Sequence, residues 1–203
     1  VLVEGYLDVI SLFQFGINYA VATLGTASGE AHLEKIFRHT HKLIVCFDGD
    51  DAGVHAAERV LDTALPAMRD GREINFLFLP EGSDPDSYVR EHGKAAFEHL
   101  CEGAMPLEQM LLKQAGKDTS LDSEAGKTRF CQNALPLLQR LPEGMFKHRM
   151  LTQLAEYSDT PRDLLVQQLA DLTAPRDSRQ YSAQSRSNSA SDTANNPNKP
   201  QYK

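Results

Sequence analysis

Apolar and polar positions alternate between two rhythms along the first half of this chain. Short apolar runs at 1–4, 19–23, 43–48 and 73–79 are too brief for helices and rich in strand formers, so they read as strands. Between them lie stretches with helical spacing. Tyr6 to about Phe15 would turn Tyr6, Val9, Ile10 and Phe13 inward, with Gly16 ending the helix. Residues 28–39 would bury Leu33, Ile36 and Phe37, after a turn at Leu24-Gly25-Thr26. Ala52 to about Met68 would bury Val54, Ala57, Leu61 and Leu65, and Asp70-Gly71 would make a turn. Strand and helix alternate with short loops. The economical fold is α/β: a parallel sheet with crossover helices on its faces.

From Gly93 onward the pattern is helical only. Segments 94–102, 106–115, 121–140, 143–157 and 160–172 each carry an apolar stripe, with Phe130, Leu135, Leu138, Leu141, Met145, Met150, Leu151 and Leu154 as bundle core. A helix start falls within Ser120 to Glu124. After about residue 173 the chain has no Leu, Ile, Val, Phe or Met and is rich in Ser, Asn, Gln, Pro and Arg. Such a segment cannot bury enough apolar area to offset its ordering entropy, and it reads as a disordered linker. The expected organisation is an α/β domain at 1–100, a helical subdomain at 101–172 and a linker at 173–203. The first residues, Val1-Leu2-Val3, start inside a strand, so the chain reads as part of a longer protein.

Two acidic motifs change this picture. Leu43 to Phe47 reads as a strand buried on both faces. It ends in Asp48-Gly49-Asp50, where Gly49 opens the turn and Gly53 lets the next helix start close to the sheet. The run Ile74 to Leu79 ends in a Pro- and Gly-containing loop and then Asp84-Pro85-Asp86. Both carboxylate pairs fall at the carboxyl ends of strands, where open α/β sheets bind ligands, and Glu4 follows the first strand at the same edge. Local structure also accounts for some of these acids. Asp50 or Asp51 suits the N-cap of the helix from Ala52, Asp84 before Pro85 suits another, and Asp86 suits a first turn. Capping does not explain the convergence. Like charges roughly 4 Å apart repel by about 4 kcal/mol at an effective dielectric of about 20, and cations remove that cost. Hard divalent ions take carboxylate oxygens, and Mg²⁺ usually takes one or two of them beside substrate phosphates.

Charge and composition narrow the chemistry. The net charge is −7 over 203 residues. The segment 173–203 is net basic, which leaves −10 on residues 1–172. A broad nucleic-acid grip would need the opposite sign, so metal would have to neutralise the acids and other segments supply the basic track. Cys46, Cys101 and Cys131 form no C-x-x-C pair, which excludes a disulfide framework and a zinc ribbon and favours a reducing cytoplasm. No apolar run is long enough for a membrane span. P-loop, EF-hand, H-E-x-x-H and G-x-S-x-G patterns are absent. Ala52 and Arg59 stand where a calcium loop needs ligands.

Val3-Glu4-Gly5-Tyr6-Leu7-Asp8-Val9, Leu24-Gly25-Thr26-Ala27, Phe47-Asp48-Gly49-Asp50-Asp51-Ala52-Gly53 and Asp84-Pro85-Asp86, in this order and spacing, resemble the Toprim module of bacterial replicative DNA primases. Residues 100–172 resemble the helical subdomain that closes the primase polymerase core, and the tail resembles the linker to a helicase-binding domain. The resemblance implies that Glu4, Asp48 and Asp50 are the catalytic metal-binding acids, with Asp84 and Asp86 as further acids of the site. It implies Mg²⁺ or Mn²⁺ there, and Zn²⁺ only in an amino-terminal domain outside this sequence. The implied reaction joins ribonucleoside triphosphates on single-stranded DNA, making an RNA primer–DNA hybrid in the bacterial cytoplasm at the replisome. A replicative helicase would be contacted through a further carboxyl-terminal domain. The family commonly has a basic residue where this chain has Asp51. It also has a basic amino-terminal half of the polymerase core outside this sequence, so this segment alone is expected to make no primers. The alternatives are another Toprim enzyme (a topoisomerase or nuclease) and a non-catalytic metal-binding module of a replication or repair assembly. A D-x-D phosphatase fits less well, because Ala52 stands where it expects Thr or Val.

Overall fold

The computed structural model describes residues 1–23 and 29–173. The expected turn at Leu24-Gly25-Thr26 and the expected linker after Thr173 lie outside them.

The elements follow in the order β1 (Leu2–Val3), α1 (Tyr6–Gln14), β2 (Val21–Ala22), α2 (Glu30–Ile36), β3 (Lys42–Phe47), α3 (Asp51–Ala67), β4 (Glu73–Phe78), α4 (Pro85–Glu102), β5 (Met105–Pro106), α5 (Leu107–Ala115), α6 (Glu124–Arg140), α7 (Met145–Ser158) and α8 (Arg162–Thr173). The sheet order is β2-β1-β3-β4-β5. The first four strands are parallel, with β3 and β4 paired from Lys42↔Glu73 to Phe47↔Phe78. The edge strand β5 runs antiparallel to β4 at Asn75↔Pro106 and Phe76↔Met105. A two-residue strand carries no periodicity, so the sequence pattern could not show that the sheet is mixed.

Alternation along the strands sends side chains to two cores. Leu43, Val45, Phe47, Ile74 and Phe76 meet Leu33, Ala57, Leu61 and Leu65 on one face. Cys46 and Leu77 meet Leu12, Ile17, Val89 and Phe97 on the other. Burial on both faces is why these strands read as unbroken apolar runs. The first core continues without interruption into Leu107, Leu111, Phe130, Leu138, Leu151 and Leu165 of the helices that follow β5.

Three expected faces are overturned. On α1, Tyr6, Ile10 and Phe13 are exposed, and Ser11 and Leu12 are buried instead. The helix is rotated because Leu12 packs with Ile17, Val89 and Phe97, and because the Asp8 carboxylate folds back onto the Gly5 amide. Val54 is exposed because it sits in the first turn of α3, at the rim of the sheet rather than over it. Met145 is exposed because it opens α7. The remaining expected bundle residues, Phe130, Leu135, Leu138, Leu141, Met150, Leu151 and Leu154, are buried. Residues 85–102 are two helical segments that meet at Gly93, whose φ of 77 and ψ of 176 are not helical and whose φ only glycine adopts freely, in keeping with the two segments of the sequence pattern.

Candidate metal centre

The site is built by two strand ends held side by side. Beyond Phe47 and Phe78 the ladder continues for one bond, Leu79 N–H to the Phe47 carbonyl at 3.1 Å. The two loops then bond to each other. Gly49 N–H donates to the Ser83 carbonyl at 3.0 Å, and Gly82 N–H donates to the Gly49 carbonyl at 2.9 Å. A Cβ on residue 49 would overlap the Pro80 carbonyl. Glycine is needed here for close approach of two backbones rather than for an open turn. Gly53 has the same role toward the Asp48 carbonyl, which a Cβ would also overlap. Beneath the loops Phe47 stacks against Phe76 and Phe78, with ring centroids 5.8 and 5.5 Å apart.

This scaffold fixes the acids. Asp50 caps α3, its Oδ1 accepting from the Gly53 amide at 2.7 Å. Asp84 caps α4, its Oδ1 accepting from the Ser87 amide at 2.7 Å while the Ser87 hydroxyl accepts from the Asp84 amide at 3.0 Å. Each cap occupies one carboxylate oxygen, so the local role and a role toward a cation are compatible. Asp48 takes part in neither cap and is half-buried. Burial first, and then the charges of Glu4, Asp8, Asp84 and Asp50, push its pKa up to about 6.

A further acid here is Asp8, which sequence reasoning quoted within a motif but did not assign. Its Oδ2 accepts from the Gly5 amide at 3.1 Å. Burial raises its pKa, the Gly5 hydrogen bond opposes this, and Asp84, Asp86 and Glu4 raise it further. The signal was present: an acid four residues after Glu4, in the first turn of a helix that starts at the active edge of the sheet. Asp86 stands apart. Its Oδ1 accepts from Arg90 Nε at 2.6 Å, and the Ser11 hydroxyl and the Arg90 guanidinium hold its carboxyl below the usual range. Of the five acids expected, Glu4, Asp50 and Asp84 join Asp8 in acting on Asp48, while Asp86 is paired with Arg90.

Among the described residues, no three His, Cys, Asp or Glu side chains are closed around a common point as a ligand set. The chemistry of the donors nevertheless fits a hard divalent ion. They are all carboxylate oxygens, and Asp48 among them is pushed toward its protonated form first by burial and then by the neighbouring negative charges. The three cysteines are free and buried, consistent with neither a disulfide framework nor a zinc ribbon.

Comparison with known proteins gives this geometry a context. Residues 1–89 match a family described as Toprim-like. Residues 109–161 match one described as the DnaB-helicase binding domain of primase, within the helices read from the sequence as a core-closing subdomain. The DNA primase of Escherichia coli K12 is 50% identical over 141 residues, which cover 70% of this chain and 24% of that protein. A solved DNA primase domain from Pseudomonas aeruginosa is 41% identical with a TM-score of 0.79, covering 82% of this chain and 53% of that one. A solved primase catalytic domain bound to single-stranded DNA is 43% identical with a TM-score of 0.76, covering 81% of this chain and 52% of that one. The chain thus spans about a quarter of the curated relative's length and about half of each solved domain.

Proposed function

This chain belongs to the bacterial DNA primase family, and on that premise we propose that it carries the cation-binding part of a primase catalytic core. The reaction is template-directed joining of ribonucleoside triphosphates on single-stranded DNA, a DNA-directed RNA polymerase activity whose product is an RNA primer paired to DNA. The observation that carries this reading is the joining of the two D-x-D loops at the carboxyl ends of β3 and β4, through the Gly49–Ser83 and Gly82–Gly49 bonds.

Glu4, Asp48 and Asp50 are the catalytic acids of the proposal, with Asp8 and Asp84 completing the negative edge. A bound Mg²⁺ or Mn²⁺ would offset phosphate charge and lower the pKa of an attacking hydroxyl. The chain's own contribution is position. The Gly49–Ser83 and Gly82–Gly49 bonds keep the two D-x-D loops in register, and the caps on α3 and α4 orient Asp50 and Asp84. Asp48 would act as a donor in its ionised form, which an approaching cation favours. Asp86, paired with Arg90, stays in the proposal as a further acid of the same sheet edge.

The acidic balance of residues 1–172 supports a division of labour. The template and the triphosphate tail need cationic partners that this segment does not supply in quantity, so we expect no primer synthesis from the segment alone. The match of 109–161 supports an interaction of the whole protein with a replicative helicase, which the sequence reading expects through a further carboxyl-terminal domain. No described helix is long and apolar enough to cross a membrane.

The test is incorporation of labelled ribonucleotides on single-stranded DNA by the full-length enzyme bearing this segment. The wild type should give product and Asp48→Asn none. Product from both would remove Asp48 from the reaction, and product from neither would overturn the primase reading.

A further inference from the structure

The spacing along α1 makes an apolar stripe, and the structure turns that stripe outward. Tyr6, Leu7, Ile10 and Phe13 are 61%, 65%, 51% and 66% exposed. Positions 6, 10 and 13 follow one another along a single helix face, with Leu7 beside them. Tyr19 and Val21, at the edge strand β2 that packs beside α1, carry the apolar surface onto the sheet. Among the described residues, the other large apolar side chains more than half exposed are Met145 and Tyr157, which stand at opposite ends of α7. A contiguous apolar face on the order of several hundred Å² marks an interaction site, whereas single exposed side chains do not.

The inward side of α1 holds the helix weakly at one end. Its buried residues are Ser11 and Leu12, both in the second half. The first turn, Tyr6 to Val9, adds only the partly buried Val9 to the core, and a turn with so few buried contacts is of low local stability. The bond from Val9 N–H to the Gly5 carbonyl is long, at 3.4 Å, and Gly5 has no side chain to cap the turn. The Asp8 carboxylate, bonded to the Gly5 amide at 3.1 Å, closes it instead. Glu4 is exposed and directly precedes this turn. A body that grips Tyr6, Leu7 and Ile10 from outside therefore also fixes Gly5, Asp8 and the backbone that carries Glu4.

One occupant fits this face. The solved primase domains that this chain matches at 41% and 43% identity are covered over 53% and 52% of their length, so nearly half of each has no counterpart here. The halves of one compact domain bury apolar surface against each other. Among the described residues α1 offers the broadest such surface, and it adjoins the acids. A body seated on it borders Glu4 and Asp8, where the site lacks cationic partners for phosphate.

We propose that the outward face of α1 seats the half of the primase core that lies outside this chain, and that this seating holds Glu4 and Asp8 in place for the cation. The proposal rests on the primase reading above. The test uses the full-length enzyme bearing this segment, as wild type, Ile10→Ser, Phe13→Ser, Phe13→Leu and, as a distant control on α8, Leu164→Ser. Amide hydrogen exchange over residues 6–14 reads the seat, and Mn²⁺ titration by electron paramagnetic resonance reads the cation site. Both serine variants should exchange about tenfold or more faster across α1 and bind Mn²⁺ several-fold more weakly. Phe13→Leu, which keeps the face apolar, and Leu164→Ser should match wild type in both readouts. Unchanged exchange in the serine variants would remove the seat, and faster exchange with unchanged Mn²⁺ affinity would remove its hold on the acids; either overturns the proposal. Primer synthesis by wild type separates these failures from a failure of the primase reading, because a wild type that makes no primer removes that reading and the occupant with it. A full-length dimer in sedimentation velocity that both serine variants abolish would assign the face to a second copy and overturn the proposal as well.

Discussion

Gly49 donates its amide to the carbonyl of Ser83 at 3.0 Å, and this bond joins the loop of the first D-x-D motif to the loop of the second. The motifs are separated by more than thirty residues of helix and strand. Their meeting depends on two backbones approaching more closely than any side chain at position 49 allows.

Gly49→Ala should therefore separate the motifs without touching a carboxylate. A methyl group directed at the Pro80 carbonyl forces the loops apart, at a cost of about 2 kcal/mol or more. Chemical denaturation should show a lower midpoint, and Mn²⁺ binding should weaken even under conditions where the variant is fully folded.

The pH dependence follows from Asp48. Its pKa is about 6 in the folded chain against 3.8 as a free side chain, so the folded state holds this proton more tightly than the unfolded state does. Its contribution to stability is present below about pH 4 and is lost as pH rises through about 6. Asp8 shifts in the same direction, while Asp70 and Asp86, held below the usual range, lose stability as pH falls. The difference between wild type and Asp48→Asn isolates the first effect. Without divalent ions, Asp48→Asn should melt at a higher temperature than wild type at pH 7, with the gap closing by pH 4. A gap that does not change with pH would contradict the assignment.

Asp70 joins the turn before β4 to the start of α7. Its two carboxylate oxygens accept from the amides of Met145 and Phe146 at 3.0 and 2.9 Å, and those bonds hold its pKa below the usual range. The residue preceding α7 is Gly144, which has no side chain to cap it. Asp70→Ala should lower the melting temperature by a few degrees. Asp70→Asn should recover part of the loss, and the acids around Asp48 should be unaffected in Mn²⁺ titrations.

Phe76 lies under the site, 1% exposed and stacked on Phe47. Phe76→Ala should cost about 3–5 kcal/mol, as truncations of buried aromatic residues do. Phe76→Leu should cost less and leave cation affinity closer to wild type. Equilibrium denaturation of both variants checks this.

The sequence pattern carried the sheet and the placement of acids after its strands because each rests on a local signal. A strand buried on both faces is an apolar run, and an acid after it is visible beside a glycine. Burial of Leu33, Leu61 and Leu65 followed from helical spacing in the same way. What failed depended on partners distant in sequence. The spacing of Tyr6, Ile10 and Phe13 shows an apolar face, but which face turns inward is decided by Leu12 against Val89 and Phe97 and by the hold of Asp8 on Gly5. β5 exists only because residues 105–106 pass alongside Asn75 and Phe76. Asp8 was concealed by its place in a helix, where an acid in the first turn is ordinary. Asp86 fitted the D-x-D pattern, and its pairing with Arg90 is not legible from that pattern.

The most direct test of the central claim is a Mn²⁺ titration of this chain followed by electron paramagnetic resonance, with wild type and Asp48→Asn side by side near pH 7.5. The account predicts saturable binding by wild type and affinity weaker by about tenfold or more in Asp48→Asn, with both proteins folded. Equal binding by the two would show that the acids converging on Asp48 do not form the cation site.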